Sequence, residues 1–519
     1  MSQDSGAAPA AASQDGLLHR LFGHGAPAPA RAQNHAGPGL QLDDIQGFIL
    51  RGYRMPLVRH FLLGVADAGG ARALLGRLAS GDEADAPQIT TAADWHVALA
   101  PGPLDDPSTL PRRKPDYCLN LGITWSGLLA LGVNDLVPGL SFKSFTAFMA
   151  GAAQRAALVG DTGASDPSNW PAGFAQDSGH ILVTLHAIGP EALAQYSDRL
   201  DRLFAETGAV REIWRQDGMA LMEMQDGHKV PTFHVHFGYT DGISMTTVQG
   251  GPERYPPDHQ KPCDAWLFVL QDEAENYFVP EPRELGLNGS FAVFKMIETD
   301  VVGFEQFLQS NKDKIDPELL AAKMCGRWRN GVPLALSPDT DSPPGGITPE
   351  QMNDFEYVNP DGSGDPKGIR CPVGAHIRRI NPRGQPVTGQ GHNGGSNNTH
   401  RLVRRGLPYG PAYDPRQPHD GLERGLLGYF INTSIENQYE FVLGQWVNDS
   451  AFAGAVRLPP KSKDPLIGTQ NPAESVFVIP QPGDAPAIRI TGLSSFTKTR
   501  AAAYCFLPSI TAIKFIGRL

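Results

Sequence analysis

The sequence predicts an α+β fold, and three observations carry that reading. Short apolar runs such as residues 181–186 have the length of a buried strand, whereas 190–204 carries a helical stripe. Strand, helix and strand follow one another, yet the strands are too few for a doubly wound parallel sheet. With 58 Gly and 45 Pro among 519 residues, long loops must connect these elements.

Taken in order, the apolar residues Ile45, Phe48, Leu50, Phe61 and Leu63 alternate loosely, which is a strand pattern. Residues 71–79 follow an Ala/Leu/Arg helical pattern. Residues 98–100 are strand-like and precede the Leu119-Asn120-Leu121-Gly122 strand. Ser126 is placed to cap a helix over 126–131 that stops at Gly132. In the helix over 190–204, Leu193, Tyr196, Leu200 and Leu203 recur at spacings of three and four, and Pro190 suits its first turn. A second half begins near residues 222–224. There His234-Val235-His236 alternates as a strand does, and 265–270 and 289–295 read as further strands. Residues 302–311 and 318–328 are helical. Residues 339–367 and 456–492 are Pro-rich excursions; the first leads into His376, as functional loops of that length do. A strand over 501–508 and the segment 509–515 complete the second sheet. Residues 1–40, rich in Ala, Pro, Gly, Ser and Gln, read as a disordered tail, with a docking helix over 16–24 as the alternative.

Composition narrows the function. A net charge of −11 and a pI near 5.8 argue against a nucleic-acid partner, which would want a basic face. No apolar run of about 18 residues exists, so no membrane span is expected. Neither a twin-arginine pair nor a continuous apolar leader stands at the start, and the expectation is a cytoplasmic protein. The five cysteines (Cys118, Cys263, Cys325, Cys371 and Cys505) are odd in number and widely spaced, without a Cys-x-x-Cys pair. They read as reduced thiols rather than a disulfide framework or a zinc site. Cys371 as a thiolate ligand is weighed against its reading as a small buried residue, and the latter is preferred. His234 and His236 on one strand face could hold zinc, but no third ligand stands at metal spacing.

The densest chemistry lies between Cys371 and Arg405. Cys371-Pro372-Val373-Gly374-Ala375-His376-Ile377-Arg378-Arg379-Ile380-Asn381-Pro382-Arg383 sets one histidine with small neighbours before a run of guanidinium groups, and Thr399-His400-Arg401-Leu402-Val403-Arg404-Arg405 follows a Gly/Asn-rich loop. Small residues beside an imidazole admit a flat ligand, and arginines suit carboxylates or developing negative charge. Alone, the pattern fits a structural or anion-binding histidine as well as a metal ligand. Gly238-Tyr239-Thr240-Asp241-Gly242 adds a carboxylate between glycines. The two motifs together resemble the dye-decolorizing (DyP-type) haem peroxidase family, in its long form. The likeness runs from about residue 43 to the C-terminus, and Asp44–Tyr53, Cys118–Gly122, Gly160–Gly163, Gly326–Trp328 and Pro508–Ile510 match in the same order.

That resemblance implies two ferredoxin-like halves, over 41–221 and 222–519, each an antiparallel β-sheet with peripheral helices. It also implies a peroxidase that reduces hydrogen peroxide and oxidises dyes, phenols or similar one-electron donors through a ferryl intermediate, with one haem b per chain. The alternative is a haem-handling protein with little turnover. His376 is the expected axial ligand of the haem iron. Asp241 is the distal acid–base group, and Arg404, which opens Arg404-Arg405-Gly406-Leu407-Pro408-Tyr409-Gly410, stabilises charge on the departing oxygen. Arg378 and Arg404 are expected to touch the cofactor, while Arg401 and Arg405 read as surface or propionate partners. Ser434 or Glu436 is expected behind His376, where many relatives have an Asp. Gly428 stands where a bulky apolar residue is common, which would open the distal pocket. Bulky donors are expected to pass electrons through Tyr409, leaving the site toward the surface, or through Trp446. The oligomeric state is left open.

Overall fold

The computed structural model describes residues 39–81, 86–93, 115–176, 178–225, 227–252, 262–271, 279–387, 397–453 and 458–519. Its centre is a sheet built from eight strands. In chain order the strands are β1 (Leu57–Val65), β2 (Tyr117–Ile123), β3 (Ile181–Ala187), β4 (Val210–Met219), β5 (Met222–Gln225), β6 (His228–Pro231), β7 (Ser290–Thr299), β8 (Val403–Tyr409), β9 (Gly425–Asn432), β10 (Val476–Ile479), β11 (Ile488–Thr491) and β12 (Thr497–Leu507). The large sheet runs β4-β1-β3-β2-β12-β7-β9-β8, with antiparallel neighbours throughout; β5–β6 and β10–β11 are separate hairpins. The first four strands of the chain thus form one half and β7, β8, β9 and β12 the other. They meet where Phe506 of β12 pairs with Ile123 of β2. Two expected antiparallel sheets are therefore joined edge to edge, the α+β architecture of a duplicated ferredoxin-like fold.

Aromatic packing reinforces the join. Phe142, Phe148, Phe291 and Phe506 are each at most 2% exposed, and Phe506 lies 5.6 Å from Phe142 and 5.5 Å from Phe291 between ring centroids. Such pairs add about 0.5–1.5 kcal/mol each beyond the area they bury. Nearby, Lys295 of β7 donates to both oxygens of Asp161 at 3.0 and 2.9 Å, and Thr499 of β12 donates to the same carboxylate at 2.5 Å. Burial works against the ammonium charge, but the Asp161 carboxylate outweighs it and the Lys295 pKa is raised. The Gly160–Gly163 motif is therefore an anchor for β7.

Several elements follow the sequence pattern closely. A helix spans Ala68–Ser80, with the Asp67 carboxylate accepting from Gly70 N and Gly81 turning the chain at φ 75°. The amphipathic helix spans Pro190–Thr207 with Pro190 in its first turn. Helices Val301–Ser310 and Pro317–Cys325 are capped by Asp300 and Asp316. Others differ. The opening segment is a short helix, Gly47–Leu50, because Gln46 uses its side chain on the seam: its amide donates to Leu121 O and Pro508 O and accepts from Leu121 N. Thr124, not Ser126, caps the helix Trp125–Ala130. The expected strand at 234–236 is a single bridge from His234 to Thr240, and 265–270 contains a 3-10 turn, Ala265–Leu267. Residues 98–100 and the tail through residue 38 lie outside the described residues. Among those described, no helix is long and apolar enough to cross a membrane.

Candidate active site

His376 opens the helix His376–Ile380, and the two arginines behind it explain why that helix is rigid. Arg379 donates to Trp446 O at 2.5 Å, Asp449 O at 2.9 Å and Ser462 O at 3.1 Å, and lies over the Phe452 ring. Burial pushes its pKa down to about 10, against the pull of Asp464 and Asp449. Arg378 is fully buried and donates to Asp365 Oδ2, Asp365 O, Cys371 O and Gln385, with Tyr357 beneath it. Its guanidinium is thereby committed to Asp365, Cys371 O and Gln385, which corrects the expectation that it meets a cofactor.

The Arg379–Ser462 contact brings a distant loop onto the histidine. Two residues beyond Ser462, Asp464 is fully buried and accepts from His376 Nδ1–H at 2.9 Å. Its other oxygen accepts from Leu466 N at 2.9 Å and Ile467 N at 3.0 Å. Burial raises the carboxyl pKa, but the facing imidazole and those N–H groups more than offset this, and the net direction is down. Asp464 is thus a carboxylate, so Nδ1 of His376 carries the hydrogen and Nε2 keeps its lone pair. Neither expected partner is near. The Ser434 hydroxyl accepts from Asn437 N to start a helical turn, and Glu436 accepts from Thr146 Oγ1 and Ala147 N. Asp464 gives only a weak sequence signal, a carboxylate before a proline in the late excursion.

Asp241 sits in a loop that its glycines make possible. Gly238 and Gly242 adopt φ of 83° and 74°, where side chains other than hydrogen are strained. The loop is pinned by Asp241 N to Phe233 O at 2.7 Å, Thr240 N to Arg329 O at 2.8 Å and Tyr239 Oη to Ala321 O at 2.8 Å. Arg404, on β8, donates from Nη2 to Asp241 Oδ1 at 3.1 Å. Burial raises the Asp241 pKa; the Arg404 charge, the Gly242 N–H and His376 together reverse that and hold it below the usual carboxylate range. The side chain nonetheless keeps 44% of its exposure, because it faces open space inside the protein.

The remaining expected residues resolve as follows. Gly428 does not mark an enlarged pocket: a Cβ there would lie 2.0 Å from Arg405 O, so the backbone of β8 fills the space. Arg405 ties β8 to the opening segment through Phe48 O at 2.6 Å, and Arg401 donates to Thr246 Oγ1. Tyr409 and Trp446 are 3% and 1% exposed, so neither reaches the surface as expected; the Tyr409 hydroxyl is buried without a hydrogen-bond partner among the described residues. His234 pairs with Glu223 at 2.5 Å and His236 with Tyr409 O at 2.8 Å, which separates the two supposed zinc ligands. Among the described residues, no group of three or more His, Cys, Asp or Glu is arranged to hold a bare metal ion. All five cysteines are buried and form no disulfide, and burial pushes the Cys371 thiol up to about 11, which disfavours a thiolate ligand.

What remains is a donor set suited to a haem. Nε2 of His376 has no hydrogen-bond partner among the described residues, and the ring keeps 18% of its exposure although Asp464 behind it has none. A flat metal macrocycle needs such a neutral nitrogen on one side and a separate polar pair on the other. Asp241 and Arg404 form that pair, joined at 3.1 Å.

Comparison with known proteins agrees with this chemistry. No protein-family model matches the chain. It is 29% identical over 503 residues to a dye-decolorizing peroxidase of Mycena epipterygia, covering 92% of this chain and 87% of that protein. It is 28% identical over 505 residues to Peroxidase 2 of Mycetinis scorodonius, covering 92% and 88%. Among solved structures, a dye-decolorizing peroxidase in complex with 2,6-dimethoxyphenol superposes with a TM-score of 0.72 at 26% identity, over 92% of this chain and all of that one.

Proposed function

We propose, for a chain that belongs to the dye-decolorizing (DyP-type) peroxidase family and is a haem-dependent peroxidase, that His376, Asp464, Asp241 and Arg404 are its working residues. The observation that carries this assignment is the pairing itself: an imidazole backed by a buried carboxylate, facing a carboxylate held by a guanidinium. Haem, when bound, supplies the iron at which peroxide is reduced. One haem b per chain, held through His376 Nε2, is the form this reading takes.

Each residue then has a defined task. Asp464 keeps the proton on His376 Nδ1 and leans the ring's electron density toward Nε2. Asp241 is ionised, with Oδ1 held by Arg404. Its carboxylate accepts a proton from one oxygen of hydrogen peroxide and returns it to the other, so that water leaves. Arg404 offsets the negative charge that builds on the departing oxygen. Two one-electron donations from aromatic reductants complete the cycle. The phenol in the related complex is consistent with such donors. A pure haem carrier has no use for the Asp241–Arg404 pair.

Two coarser matters belong to the same reading. The halves are divided at residues 221/222, after β4, and five buried cysteines without a disulfide suit a cytoplasmic location. Fractionation of the source cells tests the latter. The roles themselves are tested by rapid mixing with peroxide. Asp241→Asn should slow the reaction with peroxide by about 100-fold or more, the usual size of a general acid–base contribution, while donor affinity stays within a factor of about two. Equal losses in both would remove the assignment.

A further inference from the structure

The sequence holds 10 methionines, and their exposure is uneven. Met55, Met296 and Met324 are at most 7% exposed, and Met149, Met245 and Met352 are half-buried. Met219, Met222 and Met224, by contrast, are 46%, 37% and 65% exposed. The exposed thioethers of the described residues thus fall together, at the end of β4 and on β5. Thioethers usually fill gaps in a core, whereas a cluster in contact with water is open to oxidants.

The fold turns these side chains outward. β5 and β6 form a two-stranded hairpin apart from the large sheet, with Met222 opposite Pro231 and Met224 opposite Lys229. Positions 222 and 224 share one face of the strand, and position 223 takes the other. On that other face Glu223 meets His234 at 2.5 Å, and His234 bridges to Thr240, next to Asp241. At the hairpin's base Thr232 N donates to Leu221 O at 2.7 Å, and Asp241 N donates to Phe233 O at 2.7 Å. The contacts that lead to Asp241 therefore run through Glu223, His234 and the base, not through the thioethers. Met245 and Met352 are placed differently, in the wall of the cavity that Asp241 and Arg404 also line.

We propose that Met219, Met222 and Met224 form a reversible peroxide-modification site, converted to sulfoxides ahead of the buried methionines while the fold and the Asp241 loop keep their form. A sulfur lone pair attacks one oxygen of hydrogen peroxide; an S–O bond forms and the O–O bond breaks. The transferred oxygen loses its proton, the departing hydroxide gains one, and water leaves. Sulfur gives up the electron pair that reduces the peroxide, so the step needs no haem. The inference rests on the peroxidase reading only for the peroxide that it brings to the chain. At these positions the added oxygen meets water, whereas at Met55, Met296 or Met324 it would enter the core. On an exposed hairpin the sulfoxide is also within reach of a thiol-dependent methionine sulfoxide reductase, which reverses the mark.

The test takes the holoenzyme with its haem blocked by cyanide, so that the iron does not consume the peroxide. It is exposed to about 10 mM hydrogen peroxide, freed of both reagents by gel filtration at intervals, and mapped by peptide mass spectrometry. Sulfoxide at Met219, Met222 and Met224 should form about 10-fold faster or more than at Met55, Met296 and Met324. Protein carrying the three sulfoxides should keep the parent's denaturation midpoint and, once cyanide is removed, its rate with peroxide. Sulfoxide reductase with dithiothreitol should restore the thioethers without unfolding the chain. The variant with Met219→Leu, Met222→Leu and Met224→Leu should lose the early gain in mass. Oxidation spread evenly over the methionines, or a midpoint or rate that falls in step with the three sulfoxides, overturns the proposal. Sulfoxides that the reductase reaches only in denaturant overturn it too. Peroxide consumption by untreated holoenzyme is measured separately. Early sulfoxides at the three sites without consumption uphold the modification site and overturn the roles of Asp241 and Arg404. Consumption with even oxidation overturns the modification site alone.

Discussion

Asp464 accepts the Nδ1 proton of His376 at 2.9 Å from a position with no solvent exposure, while two main-chain N–H groups hold its other oxygen. The carboxylate can neither rotate away nor exchange His376 for water. Asp464→Asn keeps the shape and a hydrogen-bond acceptor but removes the charge. It should weaken haem binding by about 10–100-fold, the usual cost of losing such a partner, and raise the ferric/ferrous midpoint potential. Haem titration and spectroelectrochemistry check both; an unchanged potential would show that the charge has no influence on the ligand.

The Asp241 pKa is depressed, so the sign of the pH dependence follows directly. The carboxylate that accepts the peroxide proton is present above its folded pKa and is lost as pH falls through it. The rate of reaction with peroxide should therefore hold through the acidic range and fall only below the ordinary Asp value of about 3.8. Arg404→Leu removes the largest influence opposing burial, and the acid limb should move upward. A pH–rate profile that Arg404→Leu merely scales down, without displacement, counts against the pairing.

Gly428 has φ 153° and backbone from β8 directly beside it, 2.0 Å from where a Cβ would stand. Gly428→Leu should cost about 2 kcal/mol or more, the range of a strained conformation and an overpacked site, and should displace Arg404 along with its strand. Chemical denaturation and the peroxide rate should fall together. A variant as stable as the parent would show that β8 yields easily.

Tyr409 buries a hydroxyl that has no hydrogen-bond partner among the described residues. Tyr409→Phe should therefore leave stability unchanged or raise it by about 1 kcal/mol. The KM for bulky dyes should not move, because a residue 3% exposed cannot touch them. A rise in that KM would mean that the dye reaches Tyr409 after all.

The fold was largely legible where one periodicity prevails, as in the helix Pro190–Thr207 with its stripe of leucines. β4 escapes such a reading because it is an edge strand with Arg211, Glu212, Arg215 and Asp217 along it, so apolar alternation is lost. At the site, His376, Asp241 and Arg404 stand in compact motifs, and the structure pairs Asp241 with Arg404. Asp464 is 88 residues from His376, and nothing local marks a contact made by tertiary folding. Arg378 misleads for the opposite reason. A guanidinium two residues from a ligand looks like an anion partner, and only burial against Asp365, Cys371 O and Gln385 shows otherwise.

The central claim is that His376 holds the haem, and the absorption spectrum of purified protein tests it most directly. The nearest described substitute, His400, is occupied: Nδ1 bonds Asn437 O at 2.6 Å and the ring stacks on Phe441 at 4.1 Å. The parent should therefore carry a Soret band, and His376→Ala, folded by circular dichroism, should lose most of it even after reconstitution with haem. Full haem occupancy with an unchanged spectrum in that variant would contradict the assignment.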